Sequence, residues 1–267
     1  MTTIPFTRRA RALAVAGALA VSVSACGDDA STAMSSDAFG APTAYCDDVI
    51  TLDQLFQHFN AEDPAAFEVA LAEAVPVTER IVAAAPAELA EEYAVLSTAF
   101  SQVVDTGDPA PFFTAEVDDA DDAVHFHNLA NCKWSVAEII AADFEYAGTF
   151  PTEAGPTSFD LTNAGSEAHA LLVARKLDDV EATALDAFNA LESEDDLPNF
   201  FEDTVSVFAE PGDTAYGLVD LAPGEYIAFC PIPSGTTSEE SIGDGPSHYT
   251  HGEVTSFQVS STRHRRR

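Results

Sequence analysis

The apolar periodicity of this chain changes once, near residue 133, and that change limits what it can fold into. Before it, Val49, Leu52, Leu55 and Phe56 recur at helical spacing. Asp63-Pro64 supplies a cap followed by proline at the first helical position, and an apolar stripe runs on from Phe67. Pro76 is expected to break or restart that helix. A third helix is expected from about Pro86 to Val104, and a fourth over about Ala115 to Asn131 with Thr114 as its cap. Four helices with short links predict a bundle over residues 43–133. After residue 133 the chain breaks into short runs with turn signals: "SFDLTNAG", "HALLVARK", "TVSVF", "TAYGLVDL", "GEYIAFC" and "EVTSFQV". Their spacing predicts a β-sandwich over residues 134–260, with a helical insertion at Glu181 to Leu191. The expected fold class is therefore α+β in two domains.

The N-terminus bears on location. Arg8, Arg9 and Arg11 precede an apolar run of small residues from Leu13 to Val23, the pattern of a secretory signal. Val23-Ser24-Ala25-Cys26 resembles the lipobox of bacterial lipoproteins, in which the cysteine is lipidated and becomes the first mature residue. That resemblance implies a signal peptide over 1–25 and a lipid anchor at Cys26. It places a folded body on the extracytoplasmic side of the cell membrane. Residues 26–42 hold few large apolar side chains and read as a flexible tether.

Charge excludes some partners. Three of the 11 basic residues lie in the signal segment, which leaves eight against 45 acidic ones, a balance of −37. Between Cys26 and Ser261 the only basic side chains are Arg80, Lys133, Arg175 and Lys176. Such a surface repels nucleic acid and anionic lipid. The stretch "RHRRR" within residues 261–267 reverses the sign locally and reads as a disordered basic tail.

Four cysteines remain to be assigned. With Cys26 committed to lipid, Cys46, Cys132 and Cys230 are an odd number for an oxidising compartment. Cys46 opens the first helical pattern and Cys132 closes the last one. A disulfide between them ties the two ends of the helical domain together and leaves Cys230 as a single thiol. His125 and His127, in "HFHNLANC", point to different sides of a helix and cannot both chelate one ion.

Three segments then recur in a telling order. "TNAGSEAHALLV" is an asparagine, a glycine turn and a histidine entering a strand. "APGEYIAFC" is a Pro-Gly turn and a strand that delivers a cysteine. "HYTHGEVTSFQV" is a histidine, a short loop and the final strand. This order resembles the cupredoxins, the blue-copper family, over about residues 135–260. The resemblance implies a Greek-key β-sandwich with copper held by His169, Cys230 and His248. His251 is the alternative second histidine, and Glu253 stands in the axial position that methionine usually fills. It also implies that Asn163 braces the cysteine loop. The two methionines, Met1 and Met34, lie outside the folded body. A carboxylate is harder than a thioether, so Glu253 implies a preference for Cu(II) and a low redox potential. Thirteen residues, Pro233 to Gly245, are inserted between cysteine and histidine.

Two functions are compatible with these features. One is a membrane-anchored copper protein for carriage or electron transfer. The alternative is a metal-free cupredoxin fold that binds an envelope partner. No catalytic signature, phosphate loop or zinc-protease motif is present in the sequence, so a non-enzymatic role is expected.

Overall fold

A computed structural model describes residues 43–57 and 64–261. The expected signal peptide, Cys26 anchor, tether, Asp63 cap, His58 and basic tail beyond Ser261 lie outside the described residues. Four helices come first: α1 (Thr43–Gln57), α2 (Pro64–Ala84), α3 (Ala90–Thr106) and α4 (Ala115–Asn131). The α4 start is set as expected, because the Thr114 side chain accepts from the Val117 N–H and satisfies an otherwise orphaned donor. α3 ends at Gly107, whose left-handed φ of 70° lets its N–H reach the Val103 carbonyl. A disulfide joins Cys46 in α1 to Cys132 at the α4 C-cap.

Pro76 does not break α2, contrary to the sequence expectation; the helix runs through it. The reason is packing. Phe67, Ala70, Leu71, Ala74, Val77 and Ile81 form one buried stripe that spans the proline. An interior proline costs about 3 kcal/mol in a helix, and burying an apolar side chain returns roughly 1.5–3 kcal/mol each. The stripe outweighs the lost backbone bond.

The strands follow: β1 (Ser135–Ala142), β2 (Glu145–Gly148), β3 (Gly155–Asn163), β4 (His169–Lys176), β5 (Phe201–Ala209), β6 (Thr214–Leu221), β7 (Gly224–Phe229) and β8 (Val254–Val259). A short helix, α5 (Ala184–Asn189), lies between β4 and β5. The strands form two four-stranded sheets, ordered β2-β1-β3-β6 and β5-β4-β7-β8. β1 and β3 run parallel, and the remaining neighbours in both sheets are antiparallel. β7 returns beside β4 after the chain has crossed through β5 and β6. The sandwich core lies between the sheets, where Ile139, Phe159 and Leu161 meet Leu171, Val173, Val207 and Ala228. β3 follows the alternation that a half-buried strand requires only in part, since Thr157, Ser158 and Phe159 are all buried.

The bundle covers one edge of this sandwich. β5 and β6 are edge strands of their sheets. From α1, Asp53 Oδ2 accepts the Leu218 N–H at 2.9 Å and Gln57 Oε1 accepts the Ser206 N–H at 2.7 Å. An uncovered edge would expose such amides to foreign strands. α4 adds His125, stacked on Tyr216 with centroids 3.4 Å apart, and Asp121, which accepts from the Tyr216 hydroxyl at 2.5 Å. Among the described residues no helix is long and apolar enough to cross a membrane.

Candidate metal centre

Strand ends and one loop bring the chemistry together. His169 is the first residue of β4. The turn before it is held by Asn163, whose Nδ2 donates to the Glu167 and Ala209 carbonyls and whose Oδ1 accepts the Gly165 N–H. Asn163 thus braces the turn that presents His169, and not the cysteine loop as the sequence resemblance implied. Cys230 directly follows β7. His248 opens a single 3-10 turn, His248–His251, closed by Gly252 at φ 115°, a value that an L residue adopts only under strain. Glu253 comes next and leads into β8.

Backbone bonds fix this corner. The Cys230 N–H donates to the Glu253 carbonyl, the Tyr249 N–H to the Cys230 carbonyl and the His248 N–H to the Ile232 carbonyl. The insertion from Pro233 to Gly245 leaves these ends in place. Its base is clasped by Ser234 N–H to the Pro246 carbonyl and by a bridge between Pro233 and Ser247. The added residues therefore extend beyond a closed neck and do not pull Cys230 from His248.

His169, Cys230, His248 and Glu253 each offer one ligand atom, and these atoms all lie within 4.8 Å of one another. All four residues are buried. His169 Nδ1 lies 2.8 and 2.9 Å from the two Glu253 oxygens, and His248 Nδ1 lies 3.1 Å from Glu253 Oε2. Cys230 Sγ is 3.5 Å from His248 Nδ1 and accepts the Ala170 N–H at 3.3 Å. Both imidazoles thus turn the same nitrogen, Nδ1, toward the cluster. Two packed four-stranded sheets with this cluster at one end are what the sequence resemblance to the cupredoxins implied. His251 is exposed and outside the cluster, with its ring against Phe144, so His248 fills the position for which the sequence left two candidates.

The electrostatics are those of a site built around a charge. Burial pushes the Cys230 thiol well above its ordinary value, and the Glu253 charge adds to the shift. Burial pushes Glu253 upward too, but its hydrogen bonds to His169 and His248 prevail and hold the carboxyl below its ordinary value. The cluster therefore places an ionised carboxylate between two imidazoles and beside a protonated thiol.

The donor set fits a metal ion. Ligand bonds of about 2.0–2.3 Å put neighbouring donors of one ion roughly 3.3–3.7 Å apart, and the Cys230 to His248 spacing of 3.5 Å falls there. The shorter nitrogen to Glu253 distances are hydrogen bonds of the metal-free cluster, which need a proton on the ring nitrogen that faces the carboxylate. An ion would replace those protons.

Four further residues shape the site, and sequence reasoning missed them. Glu167 Oε2 lies 3.1 Å from His248 Nε2 and accepts the Gly235 N–H at 2.6 Å. Gly165 lies so close to His169 that an added Cβ would sit 2.8 Å from Nε2. Tyr146 donates its hydroxyl to the Ala170 carbonyl, beside the Cys230 sulfur. The β1–β2 turn at Asp143-Phe144, with φ values of 47° and 69°, places the Phe144 ring 4.7 Å from His248 as a cover. Glu167 is one acid among 45, and nothing in its local sequence marks it.

No family model and no curated protein matches the chain. Solved structures do. An auracyanin from Roseiflexus castenholzii is 20% identical, over 47% of this chain and 97% of that one, with a TM-score of 0.30. Auracyanin A, a "blue" copper protein of Chloroflexus aurantiacus, is 14% identical over 47% and 98%, with a TM-score of 0.31. A Cu-containing nitrite reductase from Thermus scotoductus is 14% identical over 48% and 27%, with a TM-score of 0.22. At scores this low, the case for a metal site is carried by its own side chains.

Proposed function

We propose that the sandwich binds one copper ion through His169 Nδ1, Cys230 Sγ and His248 Nδ1, with Glu253 as a fourth, harder donor. The observation that supports it is the convergence of these four atoms within 4.8 Å in a buried pocket. A thiolate with two imidazoles is the set that suits both copper states, and the axial group tunes the potential. Copper there would supply one-electron exchange. The chain's own part is to exclude water, to aim both Nδ1 atoms inward and to keep Cys230 from other thiols. A carboxylate donor favours Cu(II), so the potential is low for this class of site. The protein is then a copper carrier or an electron-transfer module. The N-terminal pattern supports attachment to the extracytoplasmic face of the membrane through lipid at Cys26, within reach of an envelope or redox partner.

The test is a Cu(II) titration of the purified protein with metal content measured after desalting. One copper per chain is expected in the parent protein and in His251→Ala. His169→Ala, Cys230→Ser and His248→Ala should each lose tight binding. Retention of copper by all three would overturn the assignment. A folded parent that takes up none would leave the metal-free binding role in its place.

A further inference from the structure

The helical half holds a half-open cavity that the metal centre does not use. It measures about 360 Å³ and lies among the four helices, with Tyr216 and Leu218 of β6 forming part of its wall. Cores of this size ordinarily close on themselves and leave few voids larger than a water molecule, whereas small-molecule sites occupy roughly 300–1,000 Å³. Much of the wall is aliphatic and aromatic, including Leu52, Phe56, Ile81, Leu96, Phe100 and Phe112.

Polar atoms in the same wall lack partners. Asn128 is fully buried; its Oδ1 accepts from the Tyr45 hydroxyl at 3.0 Å, but its Nδ2 has no acceptor. The Thr78 and Ser97 hydroxyls are buried without a hydrogen bond. His125, only 3% exposed, has no hydrogen bond at Nδ1, and its Nε2 lies 3.6 Å from Asp160 Oδ1, too far for one. Nearly all buried polar groups in folded proteins are satisfied. Here three residues with unmet donors, Thr78, Ser97 and Asn128, border one void, and each can donate to an oxygen. Charge narrows the choice further. The wall contains Asp53, Asp118 and Asp121 and neither lysine nor arginine. A carboxylate or phosphate would be repelled with nothing to pair it.

We infer that this cavity is a binding site for an uncharged, mainly aromatic or hydrocarbon molecule that carries a carbonyl-type oxygen. The apolar body fills the space between the helices, and the oxygen accepts from Asn128 and its neighbours. The site is independent of copper, since its residues and those of the metal cluster are disjoint.

Titration of the full chain with prodan, an uncharged naphthyl ketone whose emission shifts to the blue in apolar surroundings, tests the assignment. Saturable binding of one probe per chain is expected. Leu96→Trp fills the void and should weaken binding by about tenfold or more, with the helical circular dichroism signal retained. Ser97→Leu decides the matter if that variant does not fold. Cys230→Ser should bind prodan as the parent does, and laurate, an anion with a similar apolar body, should not displace it. Absence of saturable binding would overturn the inference. So would parent-like affinity in the folded filled variant, or displacement by laurate at concentrations where a neutral ketone competes.

Discussion

Replacing Glu167 should weaken copper binding although Glu167 is not a ligand in this account. Ligation through His248 Nδ1 requires the ring proton to sit on Nε2. Two carboxylates compete for that proton: Glu253 faces Nδ1 at 3.1 Å, and Glu167 faces Nε2 at 3.1 Å. The Gly235 N–H, opposed by burial and helped by His248, holds the Glu167 carboxyl below its ordinary value, so it is ionised at neutral pH. It therefore favours the tautomer that metal binding needs. Losing such an outer partner costs about 10–100-fold in metal affinity. The Glu167 side chain is 29% exposed, so water replaces part of its role, and the low end applies: about tenfold, or ~1.4 kcal/mol. Glu167→Ala also removes the acceptor for Gly235 in the inserted loop, so it disturbs two contacts at once. Glu167→Gln separates the two roles, because the amide oxygen still accepts from Gly235 while the charge at Nε2 is gone. Competition of each variant against a chelator for Cu(II) gives the affinities. An intermediate loss for Gln and the full tenfold for Ala is expected. Parent-like affinity in both, within twofold, would refute the tautomer argument.

The same geometry has other consequences. Gly165→Ala puts a Cβ 2.8 Å from His169 Nε2, and the buried ring has little room to yield; copper affinity should fall by the same competition assay, and an unchanged value contradicts the placement of His169. Removing the Cys46–Cys132 disulfide, with a sequence separation of 86, should cost about 4.6 kcal/mol by loop entropy; an unfolding free energy from urea titration of the double alanine variant that falls by less than ~1 kcal/mol contradicts it. Glu253 is held below its ordinary carboxylate value in the folded protein, so its contribution to stability is present above the unfolded value of about 4.3 and is lost as pH falls through the folded value. Metal-free protein should accordingly lose stability more steeply than Glu253→Gln below about pH 4.3, and parallel curves from thermal melts would contradict that.

Parts of this were legible in the sequence because they are local. Thr114 caps α4 through a bond to a residue three positions on, and the strand "HALLVARK" announces itself within eight residues. The Cys46–Cys132 bridge follows from the ends of the helical pattern. Pro76 misleads because the energy that keeps α2 intact is tertiary. Asn163 lies next to the right loop but points to the wrong one on paper, since its partners Glu167 and Ala209 are settled only when β3, β4 and β5 assemble. His248 and His251 are three apart and alike in sequence; both rings lie against Phe144, but His248 is buried beside Cys230 and His251, at the end of the 3-10 turn, is exposed. Glu167 reaches His248 across 81 positions, a contact with no local signature. The cavity in the bundle is invisible for a related reason, because an apolar helix stripe reads the same whether it meets another side chain or a void.

The most direct test is the absorption spectrum of the protein loaded with one equivalent of Cu(II). Coordination by the Cys230 thiolate with His169 and His248 gives an intense charge-transfer band near ~600 nm, which Cys230→Ser abolishes. A parent spectrum showing only the weak bands of copper on nitrogen and oxygen, and unchanged by Cys230→Ser, would contradict the account.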